Sequence, residues 1–209
     1  MTSGNFYQQN ATARMTALTL FFCPSRRGLM TSTVPEPQQG GSLTADGALA
    51  DYACNVGTTG SDYWWTTNDD GTANTPNDGP FRLDNNWSNV PSPSYIGGVK
   101  IAQITDGMSN TLMLGEKHVQ RIHFGDYNYS DGPAYNGDSG HSNRGAGPTR
   151  LLAKGENDTV TNRFGSWHSG ICLFVLCDGT VKTLPVNIDG TTLGYLANKA
   201  DGQTFTMPP

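Results

Sequence analysis

The chain has little charge and no long apolar run. Of its 209 residues 15% are charged and 35% are hydrophobic, and the net charge is -5. No window is strongly basic, which argues against a nucleic-acid-binding protein. No run of about 18 apolar residues is present, so the sequence predicts no membrane-spanning segment. The first 22 residues lack the features of a signal peptide. We therefore expect either a cytoplasmic chain or one whose natural N-terminus precedes Met1.

Cysteines are few and carry no metal-binding spacing. The four thiols occur in "FFCPS", "YACNV" and "GICLFVLCDG", none of which contains CxxC, so a zinc interpretation is weak. Cys172 and Cys177 are five positions apart, and in a strand they would point to opposite faces and could not bond to each other. A disulfide between Cys23 and Cys54 is an open alternative to free thiols if the protein is exported.

Recognisable catalytic motifs are also missing. The sequence contains no phosphate-binding loop, no dinucleotide fingerprint and no nucleophile with an evident base. The four histidines with Glu116 offer a weak transition-metal alternative, because Glu116 and His118 would share one face of a strand. We predict a protein that is not an enzyme and has no cofactor, calcium excepted.

Turn-forming residues are abundant, with 26 glycines and 12 prolines. Together with the low charge they favour one loop-rich α+β domain, residues 1–209, dominated by an antiparallel sheet. Residues 58–98 and 125–162 are rich in glycine and asparagine, and we interpret them as long irregular loops.

Apolar patterning predicts five strands and one helix. Four strands fall within 15–25, around Tyr52, within 111–116 and at 171–177, and "ICLFVLC" at 171–177 reads as buried on both faces. The fifth, "TVKTLPV" at 180–186, is the return strand of a hairpin. Asp178-Gly179 then predicts a tight hairpin turn with positive φ at both residues. Asp189 is the expected N-cap of a short C-terminal helix with Leu193 and Leu196 facing inward.

His168 and Asp178 stand nine residues apart and could be read as a catalytic or metal pair. The intervening strand would separate its ends by roughly 23 Å, however. We therefore predict a turn at Asp178 and a local hydrogen-bonding role for His168.

Two loop clusters suggest binding. "NDDGTANTPNDGP" offers Asp69, Asp70 and Asp78 as calcium ligands, although the spacing is not that of an EF-hand. Trp64, Trp65 and Trp87 could form an aromatic platform for a glycan or a protein partner. Packing beneath their own loops is the alternative for these aromatic residues.

Five segments together resemble a known family. They are "FFCPS", "DYACNVG", "ITDGMSNTLMLGE", "FGSWHSGICLFVLCDGTVKTL" and "IDGTTLGYLANKADGQ", in that order between residues 17 and 203. The pattern resembles a bacterial family of exported, pilin-like proteins with a C-terminal His-x9-Asp-Gly motif, the domain of unknown function 1559. The residues that match the family motifs are Asp106, Gly107, Asn110, Glu116, His168, Asp178 and Gly179.

The resemblance implies a structural role. It implies a pilin-like, self-assembling domain located outside the cell or at its surface, and the family's prepilin leader and long apolar helix have no counterpart in this sequence. The first hypothesis is thus a non-enzymatic subunit of a filament or other homo-oligomer. The rival is a secreted glycan- or calcium-binding module that uses the aspartate and tryptophan loops.

Overall fold

The computed structural model describes residues 4–38, 42–60, 77–81, 99–137 and 139–208. Four α-helices and seven strands lie in these ranges. The helices are α1 (Gly4–Gln8), α2 (Ala11–Met15), α3 (Ser139–Ser142) and α4 (Gly190–Ala197). The strands are β1 (Glu36–Pro37), β2 (Thr44–Ala45), β3 (Tyr52–Asn55), β4 (Leu112–Glu116), β5 (Asn143–Arg144), β6 (Ile171–Leu176) and β7 (Val181–Pro185).

The main sheet has five strands in the order β5-β3-β4-β6-β7. All neighbours are antiparallel except β3 and β5, and β1 pairs with β2 in a separate antiparallel ribbon. The predicted α+β class with a mainly antiparallel sheet and a short C-terminal helix is confirmed. Within the described ranges, no helix is both long enough and apolar enough to cross a membrane.

The hairpin of β6 and β7 forms as predicted, but its turn differs in detail. The Gly179 N–H donates to the Leu176 carbonyl, and the Leu176 N–H donates to the Thr180 carbonyl. Gly179 has φ +88°, whereas Asp178 is not among the residues with positive φ. The turn therefore places one residue, not two, in the left-handed region, as in a hairpin loop that ends with a glycine bulge.

The C-terminal helix closes the apolar core. The Asp189 side chain accepts a hydrogen bond from the Thr192 N–H, which confirms the predicted N-cap. Leu193 and Leu196 are fully buried and belong to the same core cluster as Phe174. Helix α4 thus covers the face of the sheet formed by alternate residues of β6.

The predicted strand within residues 15–25 is wrong. Thr19–Phe21 is a single 3-10 turn, and the Leu20 side chain is 79% exposed. The Cys23 N–H donates to the Asp51 carboxylate at 2.9 Å. A side chain thus satisfies a backbone donor that a strand neighbour would otherwise have to satisfy.

A glycine near the C-terminal end of β4, Gly115, permits close packing. A Cβ built on Gly115 would lie 2.4 Å from the Phe174 ring and 2.8 Å from the Phe164 ring. The two rings meet edge to face, with their centroids 5.2 Å apart. This contact packs β6 and the segment before it closely against the C-terminal end of β4, where Glu116 lies.

Candidate functional site

Three side chains from three distant motifs converge beside this end of β4. They are Cys23 of "CPS", Glu116 at the end of β4 and His168 before β6. The His168 Nε2 atom lies 3.3 Å from Glu116 Oε1 and 3.7 Å from Cys23 Sγ. One donor atom from each side chain lies within 4.8 Å of the other two. We call this group the three-residue site.

Backbone contacts hold Glu116 and His168 in place. The second carboxylate oxygen of Glu116 accepts the Leu173 N–H at 2.9 Å. The His168 N–H donates to Ser166 Oγ at 3.0 Å, and this hydroxyl donates to the Ile171 carbonyl at 2.6 Å. The site is therefore built into the start of β6 and does not lie on a free loop.

The three side chains of the site differ in their exposure to solvent. The Glu116 side chain is 4% exposed and Cys23 is buried, but the His168 side chain is 32% exposed. The carboxylate and the thiol are therefore largely screened from bulk water, and the imidazole is the most exposed member of the site.

The other half of the His-x9-Asp-Gly motif is structural. As the sequence predicts, β6 separates His168 from Asp178, and the Asp178 carboxylate is used locally to accept the Thr180 N–H. The Asp178 N–H donates to the Met108 carbonyl, so the hairpin turn contacts the segment "ITDGMSNTLMLGE", which carries the other motif residues.

The remaining motif residues also cap backbone groups. The Asn110 side chain donates to the Asp106 carbonyl at 3.0 Å. The Asp106 carboxylate accepts the N–H groups of Asp201 and Gly202 at 2.7 and 2.9 Å. Gly107 has φ +95°, a conformation that favours glycine.

A buried charge cluster lies beside the three-residue site. Its six members are Arg26, Arg27, Asp51, Lys117, Asp131 and Arg144, all of them buried. Arg27 binds Asp131 through both terminal nitrogens, and its Nε lies 2.7 Å from Asp51 Oδ1. The Lys117 ammonium lies 3.0 Å from Asp131 Oδ1. The cluster joins the segment after Cys23 to β4 and to residues 125–144.

The pKa values of Asp131 and Lys117 depend both on burial and on the charged partners in the cluster. Burial alone would raise the pKa of Asp131, but the charges of Lys117 and Arg27 hold it well below the usual value. Burial lowers the pKa of Lys117 to about 8, and Asp131 opposes that effect. Both groups therefore depend on their partners to remain charged inside the protein.

The four histidines do not form the metal group considered from the sequence. His118 Nε2 lies 2.8 Å from the Asp158 carbonyl, and His118 is not among the residues grouped with Glu116. The His123 ring stacks on Tyr129, and His141 lies 3.5 Å from Glu36. Of the four, only His168 joins Glu116 in a potential metal-binding group of the described residues.

All four cysteines are free thiols, so the disulfide between Cys23 and Cys54 that the sequence left open is not formed. Burial raises the pKa of Cys54 to about 11. Cys172 is buried in β6, and Cys177 is partly exposed after it.

The predicted loop sites fall mostly outside the described residues. Trp64, Trp65, Trp87, Asp69 and Asp70 all lie there. Asp78 is described, and its carboxylate accepts hydrogen bonds from the Thr58 N–H, the Thr58 hydroxyl and the Asn198 side chain. The calcium and glycan assignments stay predictions.

The fold and the site together define an α+β protein whose distant motifs meet at one Cys–Glu–His group. Residues 2–191 match the family described as "Protein of unknown function (DUF1559)", and the chain belongs to this family. The resemblance drawn from the sequence motifs is thus confirmed at the level of the family. No curated protein and no solved structure matches the chain.

Proposed function

We propose that the chain is a non-enzymatic structural protein, exported and pilin-like, which assembles with copies of itself outside the cell or at its surface. The proposal follows the resemblance of the motifs and is supported by one structural observation. The strand β6 is apolar on both faces, but its own subunit fully covers only one of them.

The covered face consists of alternate residues of the hairpin. Cys172, Phe174 and Leu176 of β6 and Leu184 of β7 are all 0–1% exposed. They form part of the apolar core beneath helix α4. This face is that of an ordinary half-buried sheet.

The opposite face is apolar but open. Ile171 and Val181 are 36% and 61% exposed, and Leu173 and Val175 between them are partly exposed. A continuous apolar strand normally has both faces covered. Burial of this face against a second copy would supply the missing cover.

The edge of the main sheet at β7 also supports assembly with a second copy. Strand β7 pairs only with β6 among the described residues. The hydrogen bonds that link Leu176 to Thr180 and Val186 to Gly170 fix the register, and the outward backbone groups are those of Val181, Thr183 and Pro185. Two outward N–H groups are thus available, while Pro185 stands where its missing N–H costs no bond within the hairpin.

Light scattering coupled to size-exclusion chromatography tests the proposal. The wild-type chain should show a mass that rises with concentration, and the double variant Ile171→Lys, Val181→Lys should stay monomeric because like charges repel across the contact. Ile122→Lys, at an exposed position outside the sheet, is the matched control and should associate like wild type.

Unchanged far-ultraviolet circular dichroism must accompany the loss of association. A wild-type chain that is monomeric over the whole concentration range would contradict assembly. Association that survives in the double variant would contradict the role of this face.

A further inference from the structure

We propose that Cys23, Glu116 and His168 bind a transition-metal ion of the Zn²⁺ type. The inference is independent of self-assembly, because all three ligands come from one chain and the site lies in the interior beside β4. It assigns a chemical role to the histidine of the family motif, which the hairpin turn alone does not explain.

The distances match a shared ion. Tetrahedral zinc with bonds of about 2.0–2.3 Å places a nitrogen and an oxygen ligand about 3.3 Å apart, and a nitrogen and a sulfur ligand about 3.6 Å apart. In the three-residue site the corresponding separations are 3.3 Å for His168 and Glu116 and 3.7 Å for His168 and Cys23. The third separation, between the Cys23 thiol and the Glu116 carboxylate, is within 4.8 Å. Two of the three pairs thus already have the spacing of a coordination shell, and the third is close enough to reach it by a side-chain adjustment.

The orientation of the imidazole argues against a catalytic relay. A nucleophile, a base and an orienting carboxylate need the two partners at opposite ring nitrogens. Here the Cys23 thiol and the Glu116 carboxylate both approach the same atom, Nε2 of His168. A carboxylate, a thiol that loses its proton when it binds a metal, and an imidazole nitrogen lie together here, which suits a cation placed among them.

The donor set selects the type of metal. Sulfur, nitrogen and oxygen ligands suit Zn²⁺ and similar ions, whereas Ca²⁺ and Mg²⁺ prefer oxygen only. A thiolate and a carboxylate together neutralise a divalent cation. A fourth ligand such as water would complete the tetrahedral shell, as in a zinc site with three protein ligands.

The surroundings supply support of the kind that metal sites need. The Leu173 N–H holds the Glu116 oxygen that faces away from His168, which fixes the carboxylate with its other oxygen toward the site. Ser25 Oγ lies 3.1 Å from Cys23 Sγ and can donate to a thiolate. The neighbouring cation Arg26 is engaged by the Lys117 and Val119 carbonyls.

Cobalt spectroscopy tests the proposal with a readout specific to the thiol. The full chain, stripped of metal with a chelator and kept reduced, is titrated with Co²⁺, which substitutes for Zn²⁺ and absorbs in the near ultraviolet when a thiolate binds it. We expect this band in wild type and in Cys177→Ser, a matched control at a partly exposed thiol, and its loss in Cys23→Ser.

Zn²⁺ calorimetry on the same proteins measures the other two ligands. Glu116→Gln and His168→Gln should each weaken Zn²⁺ binding by more than the roughly 10–100-fold that changes outside the first ligand shell cost. His123→Gln, at a partly exposed histidine outside the site, should bind as wild type does. Zn²⁺ should also raise the wild-type melting temperature, because a ligand of the folded state stabilises it.

Three results would overturn the proposal. They are the absence of a thiolate–cobalt band in folded wild type, the same band in Cys23→Ser, and an unchanged Zn²⁺ affinity in His168→Gln. Because His168 is partly exposed, its glutamine variant should fold even if Cys23→Ser does not. Circular dichroism of each metal-free variant verifies the fold.

Discussion

Two parts of the protein interior differ in the side chains that they bury: one is apolar and the other is charged. The C-terminal hairpin and helix, residues 171–197, bury apolar side chains such as Phe174 and Leu193. The buried charge cluster fills its part of the interior with arginines, a lysine and two aspartates. The first interior gains stability from each apolar group removed from water. The second gains little from burial itself and depends on every charge having a partner.

The two parts of the interior should lose stability in different ways when a residue is replaced. Apolar packing loses stability in proportion to the volume that is removed. In a buried set of ion pairs the loss of stability depends on which member is removed, because the remaining charges stay buried without a partner. In this cluster four cations share two aspartates, so the aspartates should be the more critical members.

The largest expected effect follows from this imbalance. Asp131→Asn removes the carboxylate that binds both Arg27 and Lys117. We expect a loss of about 3–5 kcal/mol in the free energy of unfolding, measured by chemical denaturation. Lys117→Met removes a surplus cation and should cost clearly less, and Glu156→Gln on the surface should cost almost nothing. Equal losses in the Asp131 and Lys117 variants would contradict the imbalance.

The apolar interior gives the next effect. Leu193→Ala in helix α4 deletes a fully buried side chain from the core cluster. The expected loss is about 2–5 kcal/mol, smaller where the surroundings can relax into the cavity. Denaturation of this variant beside Leu43→Ala, whose leucine is exposed, measures the difference. An equal cost at the two positions would show that the assigned core is wrong.

Acid should destabilise the buried charge cluster without affecting the apolar interior. The pKa of Asp131 is lower in the folded chain than its ordinary value of 3.8, so the unfolded state binds the proton more readily. This stabilising contribution is complete above 3.8 and is lost as pH falls toward the folded value. A titration from pH 7 to 3 reaches only the start of that loss, so the effect should be smaller than that of the Asn variant.

Two variants sharpen the acid experiment. Leu193→Ala should keep the wild-type dependence of stability on pH below 3.8, because it leaves the charges intact. Asp131→Asn should flatten that dependence. A wild-type slope in Asp131→Asn would assign the acid sensitivity to other carboxyl groups.

The smallest effect lies at the hairpin turn. Gly179→Ala adds a Cβ with no neighbour within 4 Å but at φ +88°, so the cost is conformational. We expect a loss of about 1–2 kcal/mol. Gly155→Ala also meets nothing within 4 Å and has no positive φ, so it should be neutral or slightly stabilising. Thermal unfolding of the pair measures the difference, and equal melting temperatures would contradict the assigned turn.

The same contrast explains what the sequence could predict. The hairpin, the Asp189 cap and the inward leucines of α4 are local features, visible in runs of fewer than ten residues. The positive φ expected at Asp178 was wrong because a two-residue turn and a glycine bulge share the same Asp-Gly signal. The strand expected before Cys23 was wrong because apolar residues there meet no strand partner, and the Asp51 carboxylate takes the Cys23 N–H.

The site and the charge cluster could not be predicted in the same way. The members of the site, Cys23, Glu116 and His168, are 93 and 52 residues apart along the chain. Neither local periodicity nor spacing brings such positions together. All three lie in segments that carry the family resemblance, and Glu116 and His168 also belonged to the metal alternative drawn from the four histidines, whereas Cys23 had no further signal. Arg27 and Asp131, 104 residues apart, had no signal at all.

The proposed role as an assembling subunit is tested most directly by negative-stain electron microscopy of the purified chain at high concentration. We predict ordered filaments or tubes that are absent from the Ile171→Lys, Val181→Lys double variant. Single particles of one chain in the wild-type sample, folded by circular dichroism, would contradict the proposal that this protein is a self-assembling structural subunit.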